Sequence, residues 1–123
     1  MLKSVLYVGV GSFIGGILRY LVSYIMKGVS TGSFPWATLT VNLTGAFVIG
    51  VVYALSARYS SISNDICLLL ATGLCGGFTT FSAFANEGLQ MLQNGSVGMF
   101  FVYALTSVFA GVAMVALGWL AVR

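Results

Sequence analysis

The 27 residues from Ile66 to Leu92, ICLLLATGLCGGFTTFSAFANEGLQML, contain one carboxylate and no basic residue. About 20 apolar helical residues cross a hydrocarbon core of about 30 Å, so this stretch is long enough to span a bilayer. Its middle does not read as uninterrupted helix. Gly76 and Gly77 adjoin near midspan, and each disfavours helix by about 1 kcal/mol relative to alanine. Thr72, Thr79, Thr80 and Ser82 surround them with hydroxyls able to bond freed backbone groups. The stretch predicts a membrane helix broken near the bilayer midplane, at the paired glycines. Non-helical backbone at that depth is tolerated only where protein buries it or where it lines a cavity or ion site. Carbonyls exposed there are hard oxygen ligands suited to a cation; a packing kink is the alternative.

Three further apolar segments flank this one: Ser4–Met26, Ala37–Ala57 and Val97–Ala121. The 123 residues are 59% hydrophobic and 6% charged, with a mean hydropathy of +1.06. A soluble domain carries roughly 25% charged residues, so this composition cannot supply a water-exposed surface. The expected fold is therefore an all-α membrane protein of four transmembrane helices, one domain over residues 1–123. Short connections make consecutive helices antiparallel and put both termini on one side. Gly28, Pro35, Ser63-Asn64-Asp65 and Asn94-Gly95 punctuate the span ends. Tyr7, Tyr20, Tyr24, Trp36, Tyr59 and Trp119 lie where amphipathic rings favour the membrane interface.

The same composition excludes whole classes of activity. There is no histidine, and Asp65 and Glu87 are the only side-chain carboxylates, so paired acid/base chemistry and the usual metal sites lack raw material. An enzyme is not expected. The net charge of +3 is spread too thinly for a nucleic-acid surface. Cys67 and Cys75, eight residues apart, stand roughly 12 Å apart on one helix, beyond disulfide reach, and read as small buried hydrophobes. Lys3, Arg58 and Arg123 fall on the side of the termini, against Lys27 and Arg19 on the other. Three against two is almost no positive-inside bias, so copies can insert both ways and pair antiparallel; an ordinary single orientation set by weak cues is the alternative.

Polar residues at depth need partners. Asn42 stands alone in Thr38-Leu39-Thr40-Val41-Asn42-Leu43-Thr44, and helix–helix glue and pore lining both suit it. Phe81 and Phe84 share a helical face with Thr79 and Ser82 nearby. Ring edges carry positive potential, so beside hydroxyl donors they suit an anion path; taken alone, the pair reads as lipid contact or packing against neighbours. Tyr103 and Ser107, one turn apart, add two hydroxyls on one face of the fourth span. Arg19 suits either snorkelling to the interface or an anion-concentrating vestibule. Glu87 fits either water exposure or a bond to a neighbouring helix. Small pairs at Gly11/Gly15, Ala46/Gly50 and Ser107/Gly111 predict close helix approach.

Together these residues resemble the Fluc, or CrcB, family of small fluoride channels, over essentially the whole chain. Gly11-Ser12-Phe13-Ile14-Gly15-Gly16-Ile17-Leu18-Arg19-Tyr20 is similar to that family's first-helix motif, and Val41-Asn42 with Gly45, Phe47 and Gly50 to its second. Gly76-Gly77-Phe78-Thr79-Thr80-Phe81-Ser82 resembles its third-helix break, and Tyr103 and Ser107 fit its fourth helix. Ser12, Gly16, Ala83 and Gly111 depart from the pattern. The resemblance implies an antiparallel, dual-topology homodimer in a bacterial inner membrane, with two fluoride pores and a central structural sodium ion. By position, the carbonyls of Gly76 and Thr79 would hold the sodium. Phe81 and Phe84 would present ring edges to fluoride, Asn42 an amide donor, and Thr38, Ser82, Tyr103 and Ser107 polar lining, with Arg19 in the vestibule. Fluoride is small and strongly hydrated, so replacing its water takes many close donors, here amide, hydroxyl and ring C–H groups. A small dual-topology multidrug or cation transporter shares the architecture, but its first-span glutamate has no counterpart here, where Arg19 stands.

Overall fold

The computed structural model describes residues 1–28 and 34–122. Within them every regular element is helical: α1 (Leu2–Ile25), α2 (Trp36–Arg58), α3 (Asn64–Cys67), a π-helical segment (Leu68–Cys75), α4 (Gly76–Phe78), α5 (Phe81–Gln93) and α6 (Val97–Ala121). From Asn64 to Gln93 the short pieces follow one another as a single interrupted span. With α1, α2 and α6 this makes four helices long and apolar enough to cross a membrane. Their limits agree closely with the four apolar segments of the sequence.

Local chemistry accounts for the ends. Ser63 caps α3, its Oγ accepting the Ile66 N–H at 3.2 Å, as a serine at that position does. At the far end of the span, Gly95 takes φ 77°, and the Gly95 and Ser96 N–H groups donate to the carbonyls of Leu92 and Met91. This paired closure uses glycine's freedom in the left-handed region. On the side of the termini, Lys3 Nζ lies 3.3 Å from Asp65, and Arg58 donates to the Val122 carbonyl at 2.6 Å. The N-terminus is thus tied to the start of the third span, and α2 to the end of α6. Arg123, counted among that side's charges, lies outside the described residues.

Packing is backbone to backbone in two pairs. α1 runs along the π-helical segment and α4, while α2 runs along α6. A Cβ at Gly11 would come within 2.7 Å of the Leu74 nitrogen, and one at Gly15 would run into the Leu74 carbonyl. The first and second small pairs of the sequence therefore mediate close approach, Gly50 doing so against the Val115 carbonyl of α6. The third pair is corrected: Gly111 faces open space, and Gly118 against Phe47 is where α6 approaches α2. Where α2, α5 and α6 meet, Leu39, Met91 and Tyr103 form a core cluster, flanked by Phe34, Leu43, Phe84 and Phe100.

Candidate functional site at the break of the third span

The interruption lies three residues beyond the position expected from the paired glycines. Gly76 is helical (φ −62°, ψ −38°), whereas Thr79 (φ −88°, ψ 159°) and Thr80 (φ −151°, ψ 120°) are extended. Low helix propensity made Gly76 and Gly77 the weakest point on paper, but Gly77 serves a different purpose. A Cβ there would sit 2.6 Å from the Ser12 carbonyl and 3.2 Å from the Gly16 nitrogen of α1. The extended residues are instead β-branched threonines, which tolerate that conformation well. Each uses its hydroxyl to close one side of the gap. Thr79 Oγ1 donates to the Cys75 carbonyl at 2.9 Å, and Thr80 Oγ1 accepts the Ala83 N–H at 3.1 Å.

Neighbouring helices hold the gap open. Asn42 of α2 engages both peptide groups of Thr80: its Oδ1 accepts the Thr80 N–H at 2.8 Å, and its Nδ2 donates to the Thr80 carbonyl at 3.1 Å. Asn42 therefore acts as helix–helix glue, with one amide N–H left over. From α1, Arg19 Nε donates to the Gly77 carbonyl at 3.2 Å. In a continuous helix the Gly76 carbonyl would accept the Thr80 N–H and the Thr79 carbonyl the Ala83 N–H. Both donors are engaged elsewhere, so two hard oxygens are released. Gly76 lies on an exposed face of the chain.

Beside the break opens a cavity of about 360 Å³ lined by Asn42, Thr79, Thr80, Phe81, Phe84 and Ser107 together with aliphatic side chains. Ser107 Oγ is buried there without a hydrogen-bond partner among the described residues. Orphaned buried hydroxyls are uncommon and ask for an explanation. Phe81, 78% exposed, has its ring centroid 5.7 Å from that of Phe84, and Phe84 in turn lies 5.0 Å from Tyr103. Ser82 is exposed, its Oγ 3.2 Å from Thr80 Oγ1.

Thr38 and Tyr103 belong to a second cluster. Thr38 Oγ1 donates to Glu87 Oε2 at 2.6 Å and the Tyr103 hydroxyl to Glu87 Oε1 at 2.9 Å. Three spans thus meet on one carboxylate, with Tyr103 fully buried. Phe34 stands edge-on to Tyr103, ring centroids 5.5 Å apart, and 4.5 Å from Trp36. The rings of Phe81, Phe84, Tyr103, Phe34 and Trp36 form a continuous series from the break towards the membrane surface opposite the termini. Of the two readings the sequence left for Glu87, the bond to a neighbouring helix is the one observed; its place one turn beyond Phe84 on the same face of α5 was the signal for which side it faces.

The profile of the CrcB-like protein family, described as Camphor Resistance (CrcB), matches residues 6–119. A protein of Phocaeicola vulgatus named fluoride-specific ion channel FluC is 47% identical over 117 residues, which is 95% of this chain and 96% of that protein. A Leptospira interrogans protein of the same name is 48% identical over 110 residues, 89% of this chain and 87% of its own length. One from Thermus thermophilus, again so named, is 40% identical over 118 residues, covering 96% and 94%.

Proposed function

The chain belongs to the CrcB family, and from that membership we propose that it is a fluoride-specific channel, not an enzyme, through which fluoride leaves the cell passively. The observation that carries the reading is the cavity beside the break, where hydroxyl, amide and aromatic-edge groups converge and Ser107 keeps an unpartnered hydroxyl. An anion path needs donors that replace hydration closely without binding so tightly that the ion is trapped. Ser107 and the spare Asn42 N–H are neutral donors, and the Phe81 and Phe84 edges add weak positive potential. Ser82 extends the hydroxyl lining at the exposed side, while Thr38 and Tyr103, proposed as polar lining, give their hydroxyl protons to Glu87 and hold Phe84 beside the path. Arg19, whose Nε alone is engaged by the Gly77 carbonyl bond, supplies the vestibule charge that draws anions in.

The active unit in this reading is an antiparallel homodimer of oppositely inserted copies in the inner membrane of a bacterium, with two pores. A structural sodium ion at the paired breaks would be held by the Gly76 and Thr79 carbonyls. The donor set fits such an ion: both oxygens have lost their helical partners, and hard neutral oxygens suit a hard monovalent cation. Bound there, sodium would supply positive potential that offsets part of the anion's desolvation cost. The chain's own residues keep those carbonyls free, Asn42 by engaging the Thr80 amide and Thr80 by capping α5. The transporter alternative is not favoured, since α1 contains no carboxylate.

Liposome efflux is the test. Purified protein should release fluoride at least about a hundredfold faster than chloride and leave a lipophilic cation inside. Equal release of both halides, or release of neither, overturns the reading.

A further inference from the structure

We propose that Arg19 is a positioning residue that brackets the break of the third span through its Nε, a role separate from any charge it brings to a vestibule. The proposal rests on the fluoride reading for one arm of its test only. The end of α4 presents carbonyls that have lost their onward helical partners, and the negative end of the helix dipole gathers there. Asn42 secures the downstream side of the gap at Thr80. On the upstream side, the bond that reaches a released carbonyl from another helix is that of Arg19 Nε to Gly77. α1 is fitted to make it: Gly15 stands against Leu74 and Phe78, and Gly77 against Ser12 and Gly16, all at backbone contact. One turn beyond Gly15, a side chain from α1 therefore arrives beside the last turn of α4 along a short, fixed path. The bracket holds Gly77 in place when Phe81, its partner in a continuous helix, has swung away with α5.

The chemistry of arginine gives a crossed test. Glutamine carries its amide nitrogen four atoms beyond Cα, as arginine carries Nε, so Arg19→Gln keeps a donor for Gly77 and loses the charge. Lysine has a methylene at that point and its ammonium one atom further, so Arg19→Lys keeps the charge and loses the donor in place. A vestibule charge ranks lysine above glutamine; a bracket ranks glutamine above lysine. Both variants are reconstituted for fluoride efflux at about 1 M salt, where the Debye length is about 3 Å and steering by charge is suppressed. Hydrogen–deuterium exchange of the Phe78–Ala83 segment is read on the same preparations.

Arg19→Lys is expected to lose at least tenfold in flux and to exchange at least tenfold faster at the break. Arg19→Gln is expected to keep exchange at the break within about threefold of the parent and to lose clearly less flux than Arg19→Lys. Lysine equal to or better than glutamine in flux, unchanged exchange in Arg19→Lys, or a glutamine variant that fails to fold overturns the bracket. Absence of fluoride flux in the parent protein defeats the channel reading instead, and leaves the exchange arm to decide the bracket.

Discussion

Phe81 and Phe84 share a face of α5 but not an environment. Phe81 is 78% exposed, while Phe84 packs on Tyr103 beside the core cluster. If both merely fill space, apolar replacements of similar size cost under about 1.5 kcal/mol and leave function intact. With ring edges on the ion path, Phe81→Ile should leave thermal stability within about 0.5 kcal/mol, as exposed positions do, while fluoride efflux falls more than tenfold. Normal flux in a well-folded Phe81→Ile, Phe84→Ile double variant would return both residues to packing. Glu87 makes a sharper stability prediction. Glu87→Leu strands the hydroxyls of Thr38 and Tyr103, and each buried unsatisfied group costs about 1–3 kcal/mol. Thermal unfolding in detergent should therefore show a larger loss for Glu87→Leu than for Tyr103→Phe, which leaves Thr38 on the carboxylate. The chemistry of Glu87 was visible in the sequence, but its partners stand 49 and 16 residues away. No local pattern reports on contacts of that separation.

At the scale of the element, the existence of the break was legible and its position was not. Helix propensity nominated Gly76 and Gly77, yet the backbone is extended at Thr79 and Thr80 because Asn42 captures the Thr80 peptide from another helix. The glycines of this fold divide by what a methyl group would meet. Gly15→Ala drives a Cβ into the Leu74 carbonyl, and a backbone atom cannot turn aside, so α1 must move. Overpacking of this kind costs about 1–3 kcal/mol or more. Gly16→Ala meets nothing within 4 Å inside the chain and gains up to about 1 kcal/mol in helix propensity. Size-exclusion profiles and melting curves should separate the neighbours: a broadened, less stable Gly15→Ala, and a Gly16→Ala whose chain folds like the parent. Equal behaviour would mean that α1 does not rest on the third span as described.

At the scale of the whole molecule, three of the cations stand at span ends, each beside a tyrosine. Lys3 lies over Tyr7, Lys27 over Tyr24 and Arg58 over Tyr59, with 5.9, 5.2 and 5.6 Å from cation to ring centroid. Such pairs suit a membrane interface but serve both sides alike, so they do not choose an orientation. The near-even distribution of Lys and Arg thus predicts two populations. A Gly28→Cys variant, with Cys67 and Cys75 changed to serine, should be labelled by an impermeant maleimide from outside intact cells in about half the copies. The remainder should react only after permeabilisation. Labelling from one side alone would exclude insertion in both directions.

Span number, span limits and the helix caps at Ser63 and Gly95 were determined by the sequence itself, because hydrocarbon thickness and local backbone preference act on contiguous residues. The donor types needed at depth were likewise present as residue identities: Asn42, Ser107, and the phenylalanines of α5. What only the tertiary structure decided was which of these meet. It set Thr38 and Tyr103 on Glu87 instead of beside Ser107, moved the break from glycine to threonine, and turned Arg19 onto Gly77. The physical reason is common to all three. A polar group inside a membrane must find a partner, and where several neighbouring helices offer one, backbone approach between the helices decides which is reached.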